Sequence, residues 1–163
     1  MDMPVDKIVL RLTLPADLDF VLAAERHPDN ALYVGQWSQA RHEMAIASED
    51  EAHFIVSRQG RQIGYVILAG LINPHSAISL RRIVVVDKGH GHGREILRWV
   101  KAFTFETLGY HRLWLDVIET NDRARRLYES EGFVTEGRLR ESWRTGDRYE
   151  SMLIMSILKS EHS

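Results

Sequence analysis

Apolar and polar residues alternate from Ile8 to Leu14, which predicts a strand. Pro15 then opens a helical stretch with Leu18, Val21 and Leu22 on one face. His27 to Gly35 keeps neither period and reads as loop. Ser38 is placed to cap a second helix running to Ser48. His53 to Ser57 and Ile63 to Ala69 read as strands, joined by the hairpin signal Arg58-Gln59-Gly60-Arg61. Asn73-Pro74-His75 marks a turn, and Ala77 to Val86 is a long strand. From Gly91 to Leu108 the period is helical, with Ile96, Val100, Phe103 and Thr107 in one row and Gly109 closing it. Arg112 to Val117 puts Leu113, Leu115 and Val117 on one side and Trp114 and Asp116 on the other. Asn121 to Glu131 is a helix closed by Gly132. Two long strands follow, Phe133 to Trp143 and Arg148 to Leu158, around Thr145-Gly146-Asp147. The order β-α-α-β-β-β-α-β-α-β-β predicts an α/β fold of the α+β kind: a mixed, mostly antiparallel sheet flanked by helices. No repeat or linker divides residues 1–163, so a single domain is expected.

One junction between strand and helix is unusual. In VVVDKGHGHGREIL, glycines stand at 89, 91 and 93. Glycine permits positive φ and lets another molecule approach the backbone. A helix start offers free N–H groups and the positive end of a dipole. The stretch therefore reads as a phosphate cradle. It is not a Walker loop, because no Gly-Lys-Ser/Thr closes it. The dinucleotide fingerprint needs Gly-x-Gly-x-x-Gly early in a parallel unit, and this spacing follows antiparallel hairpins. His90 and His92 invite a metal reading, but there is no cysteine and no second cluster among the eight histidines. They read as loop side chains near the phosphates, charged when protonated, and no metal is expected.

Composition narrows the partners. The chain is 44% hydrophobic and 27% charged, with net charge -2 and mixed signs, which gives no ground for nucleic-acid or anionic-membrane binding. Without cysteine there is no disulfide and no thiolate nucleophile. The opening MDMPVDKIVL has no leader pattern and no run has the length of a membrane span, so a cytoplasmic protein is expected.

Lys88-Gly89-His90-Gly91-His92-Gly93 resembles the Arg/Gln-x-x-Gly-x-Gly/Ala loop of the GNAT superfamily of N-acetyltransferases, with Lys88 where Arg or Gln is usual. Asn121-Asp122-Arg123-Ala124-Arg125-Arg126-Leu127-Tyr128-Glu129-Ser130-Glu131-Gly132-Phe133 resembles the same family's Asn-x-x-Ala-x-x-Leu-Tyr-x-x-x-Gly-Phe. The resemblance implies the GNAT fold and acetyl-coenzyme A as cosubstrate. It implies that Ile83, Val84, Val85, Lys88, Gly89, His90, Gly91, His92, Gly93, Arg94, Asn121 and Tyr128 meet that cosubstrate. Arg112-Leu113-Trp114-Leu115-Asp116-Val117, Glu136 to Trp143 and Gly146 to Ser151 look like the ribosomal-protein N-terminal acetyltransferase branch.

Acetyl transfer to an amine needs the amine deprotonated, an oxyanion stabilised and a thiolate held or protonated. The resemblance gives the last role to Tyr128 and the polarising backbone N–H to the region Ile83 to Val85. The base is Asp116, or Glu119 at the end of the same strand, or a water chain. Trp37 and Trp143 are candidate acceptor walls. The leading expectation is acetylation of a protein N-terminus. The alternatives are a small amine (a polyamine, for which Glu43, Glu49, Asp50 and Glu51 would supply carboxylates, or an aminoglycoside) and a noncatalytic coenzyme A-binding module. A homodimer is compatible with all three.

Overall fold

The computed structural model describes residues 6–163; Met1 to Val5, part of the stretch expected to carry no leader, lie outside the described residues. The strands are β1 (Ile8–Leu12), β2 (Glu51–Arg58), β3 (Arg61–Ala69), β4 (Ala77–Val85), β5 (Arg112–Ile118), β6 (Val134–Thr145) and β7 (Arg148–Leu158). The helices are α1 (Leu18–Arg26), α2 (Pro28–Ala31), α3 (Gln39–Ala47), α4 (His92–Ala102) and α5 (Asp122–Ser130). The strands form one sheet in the order β1-β2-β3-β4-β5-β7-β6, antiparallel at every pairing except β4 with β5. This is the predicted mixed sheet, in the predicted element order with one short helix, α2, added before α3.

The sheet buries both faces, which is why its central strands are apolar on both sides. On one face α1 lays Leu18, Val21 and Ala24 on Ile55, Tyr65, Ile67 and Val84. On the other, Ile96, Leu97 and Val100 of α4 and Tyr128 of α5 pack over Val66, Leu80, Leu113, Leu115 and Met155. The ends of elements differ from the periodicity in physical ways. Pro15–Asp17 forms a 3₁₀ turn before α1, because Asp17 accepts from the Leu14 N–H at 2.8 Å and from Arg11 at 2.7 Å. The expected loop from 27 contains α2, with Pro28 at its first position. Ser38 caps α3 as predicted, accepting from the Arg41 N–H at 3.1 Å. The long helix after the glycines ends its α part at Ala102 and widens into a π turn, Phe103–Thr107.

Candidate active site

β4 and β5 are laddered only at Ala77–Arg112, Ile78–Leu113 and Ser79–Trp114. Beyond those pairs the strands part. On the other edge of β4, Ile67 opposes Arg82 while Leu68 opposes Leu80, so Arg81 is an inserted residue. Such a bulge bends its strand and re-aims the side chains that follow. The parted strands open a cleft of about 1380 Å³. Leu80 to Val85, the glycines 89, 91 and 93 and the front of α5 line it, together with Tyr33, Val34, Gly35, Trp37 and Trp143.

The glycine loop fits a bulky anion. Gly89 has φ +94° and Gly91 φ +76°, and a Cβ at either would meet nothing within 4 Å. Glycine is required here for conformation, and the space beside the backbone is open to a ligand. Gly91 is the N-cap of α4, so the helix's first N–H groups face that space. Gly93 serves packing instead: its Cβ would lie 3.4 Å from Leu127 of α5. Arg123 and Arg126 add cationic side chains to this end of the cleft. These residues suit the phosphates of a coenzyme A ester.

Other loop residues fall differently from expectation. His90 does not line the cleft and lies 3.3 Å from Asp87. His92 lines it but is buried; burial and then Arg58 lower its pKa, so it stays neutral near pH 7 rather than adding charge. Lys88 lines the cleft while donating to the Asp29 carbonyl at 2.9 Å. Arg94 lines it too, but its guanidinium is held by Glu131 at 2.6 Å and Ser130 at 3.0 Å. Among the described residues no group of three or more His, Asp or Glu is arranged to hold a metal ion.

Asp116 and Tyr128 both line the cleft. Alternation along β5 turns Leu113, Leu115 and Val117 into the core and leaves Asp116 facing the gap. Asp116 is exposed to the cleft, and the desolvation it meets there raises its pKa, against a lowering contribution from Arg81. Tyr128 is 7% exposed, its ring 5.8 Å from that of Phe133. Burial, then the nearby Asp116 charge, pushes its hydroxyl pKa well above the ordinary value, so its proton stays on. Glu119 does not line the cleft: Arg138 holds its carboxylate at 3.0 to 3.1 Å. Asn121 lines the cleft, but its side-chain oxygen caps α5 by accepting from the Ala124 N–H at 3.3 Å.

At the far end Trp37 and Trp143 line the cleft with Tyr33, Gly35 and Arg82. Glu43, Glu49, Asp50 and Glu51 do not. Glu51 is taken up by Arg41 at 3.0 Å and by Arg81. The residues unforeseen from sequence are Arg82 and the buried set behind it, Glu25, His42, His53 and Tyr65. One signal was available: Glu25 follows Leu18 by seven residues and Val21 by four, so a charge sits on the apolar row of α1.

An open gap between parallel strands with a glycine-rich helix start beside it has room for a long ligand with an anionic end. Residues 21–133 match the family model of the acetyltransferase (GNAT) family. The chain therefore belongs to that family and is an N-acetyltransferase. It is 32% identical over 119 residues to the spermidine N(1)-acetyltransferase of Vibrio cholerae, covering 72% of this chain and 69% of that protein. The Escherichia coli K12 spermidine N(1)-acetyltransferase is 24% identical over 118 residues, 72% of this chain and 63% of that one. The crystal structure of the Vibrio cholerae enzyme with CoA and spermine superimposes with a TM-score of 0.86 at 26% identity, covering 95% of this chain and 97% of the other. Another structure of that enzyme is described as dodecameric. These relatives are spermidine enzymes, so the finer likeness to the ribosomal-protein branch finds no support in them. No helix among the described residues is long and apolar enough to cross a membrane.

Proposed function

We propose that this protein transfers the acetyl group of acetyl-coenzyme A to the primary amine of a small molecule. The observation that carries this is the meeting of Asp116 and Tyr128 in the gap between β4 and β5, next to the glycine loop. Acetyl-coenzyme A supplies the activated thioester. Gly89 and Gly91 leave room for its phosphates, and the first N–H groups of α4 with Arg123 and Arg126 hold them. The free edge of β4 from Ile83 to Val85 offers backbone N–H groups to the acetyl carbonyl. Asp116 takes the proton from the acceptor ammonium. Its raised pKa brings it nearer the amine's, which eases transfer. Tyr128 keeps its proton and donates a hydrogen bond to the departing sulfur.

The relatives' names make spermidine and spermine the first acceptors to assay, ahead of a protein N-terminus or an aminoglycoside. The assay is release of free coenzyme A thiol from the purified chain. The panel holds spermidine, spermine, an aminoglycoside, amino acids and a peptide with a free amine. Release above the hydrolytic background with a small amine is expected. Acetyl-coenzyme A binding without release for any amine would instead identify a noncatalytic module. Release only with the peptide would restore the N-terminal reading.

A further inference from the structure

Behind the acceptor end of the cleft lies a buried polar chain that the proposed mechanism leaves unused. Glu25, fully buried, comes from the last turn of α1. One carboxylate oxygen meets His42 Nε2 at 3.1 Å. The other accepts from Tyr65 O–H at 3.1 Å and from Arg82 Nη1 at 2.7 Å. His42 Nδ1 lies 3.1 Å from His53 Nε2, and His53 Nδ1 lies 2.7 Å from Thr13 Oγ1. Burial, then His42 and Arg82, push the His53 pKa down to about 3, so that ring is neutral. Donation from Thr13 to His53, from His53 to His42 and from His42 to Glu25 satisfies every ring nitrogen of this chain. The chain thus converges on the Glu25 carboxylate, which is fully buried.

A buried carboxylate needs a counter-charge, and here it is Arg82. That guanidinium lies 4.2 Å over the Trp37 ring, on which Arg41 also sits at 3.9 Å. Gly35 permits the arrangement, since a Cβ there would come within 3.0 Å of Arg82 Nη2 and 3.1 Å of Trp143. Arg82 is thus clamped from behind and from one face while it lines the cleft. Glu25 takes a hydrogen of Nη1, and the guanidinium, its side chain 9% exposed, meets the cleft by its remaining edge. The other carboxylates near this end offer little: Glu51 is paired with Arg41 and Arg81, and Asp116 is the proposed base. Lys88, Arg94, Arg123 and Arg126 lie toward the glycine loop and belong to the phosphate end. With Arg81 paired to Glu51 and Glu25 buried behind Arg82, the charged groups this end turns to the cleft are Arg82 and Asp116, one of each sign, which suits a zwitterion better than a polycation.

We propose that Arg82, held by Glu25, recognises a carboxylate on the acceptor, so that the preferred substrate is a primary amine bearing a carboxylate rather than a polyamine. The apolar part of that amine rests against Trp143. This rests on the acetyltransferase reading above and narrows its acceptor. The test compares coenzyme A release for an α-amino acid and an ω-amino acid, each beside its carboxamide, with spermidine in parallel. At least one acid should exceed its amide and spermidine by roughly 10- to 100-fold in kcat/KM, the value of one charge-assisted fork. Arg82→Lys keeps the charge but loses the fork, and should erase most of that preference through KM while acetyl-coenzyme A affinity stays fixed. If that variant is unstable, the double variant Glu25→Gln with Arg82→Gln removes both charges and should do the same. Equal rates for acid and amide, preference for spermidine, or full preference retained without Arg82 each overturn the proposal. Those outcomes leave the acetyltransferase reading intact, whereas failure to bind acetyl-coenzyme A in calorimetry overturns both.

Discussion

At the scale of single residues, Tyr128 and Asp116 carry the sharpest predictions. Tyr128→Phe keeps the buried ring and removes only the hydroxyl. Turnover should fall by roughly 10²- to 10⁴-fold with acetyl-coenzyme A affinity and melting temperature little changed. A purely packing role gives the reverse, a stability loss on the order of 1 kcal/mol with turnover intact. Steady-state kinetics beside a thermal melt separates the two. Asp116 works as a base only when ionised, and its pKa is raised above the ordinary 3.8. Activity should therefore rise with pH as Asp116 ionises, with a midpoint shifted upward from that ordinary value. Asp116→Asn should remove that acid limb along with most of the turnover. The same loss in Glu119→Gln but not in Asp116→Asn would transfer the role, against the engagement of Glu119 by Arg138. Tyr128 and Asp116 were legible from motif and alternation. Glu25, His42, His53, Tyr65 and Arg82 were not, because each comes from a different element and only folding brings them together.

At the scale of elements, α4 and α5 are fastened by Glu131. Its carboxylate accepts from Arg94 at 2.6 Å, from Arg98 at 3.0 Å, and pairs with Lys101 at 3.1 Å. Burial alone would raise its pKa, but the bonds from Arg98, Lys101 and Arg94 outweigh that and hold it at about 2, below the ordinary 4.5. A depressed carboxylate contributes stability fully above about pH 4.5 and loses it as pH falls toward 2. Glu131→Gln should cost on the order of 1–3 kcal/mol at neutral pH, an advantage of the wild type that shrinks across that acid window. Denaturant melts at pH 7 and pH 3 on both proteins check it. The glycine loop offers a complementary test: Gly91→Val should abolish acetyl-coenzyme A binding by calorimetry, because φ +76° excludes a branched residue. Unchanged affinity would put the cradle elsewhere. Helix periodicity showed α4 clearly but overran its end, since the π turn at 103–107 keeps an apolar face while breaking α bonding.

At the scale of the whole molecule, the strand order was not written in any local pattern, yet the sequence of element types restricted it to a mixed sheet. The parting of β4 and β5 had no signal of its own. It follows from Arg81 being inserted opposite β3, a defect in pairing that residue types do not announce. A cosubstrate in the gap should stabilise the whole chain by mass action, and acetyl-coenzyme A should raise the melting temperature in proportion to the logarithm of its concentration. Chelator should leave that rise in place, and its loss on chelation would implicate a metal.

The short ladder between β4 and β5 has one more consequence. A sheet normally exposes unpaired backbone only at its two rims, where a neighbouring chain can add a strand and start aggregation. Here two more rims, one on β4 and one on β5, face each other in the middle of the molecule. The backbone groups left free there face a cleft of about 1380 Å³ instead of an outer edge of the sheet. The fold thus uses the chemistry that makes sheet edges sticky, and geometry alone decides what sticks.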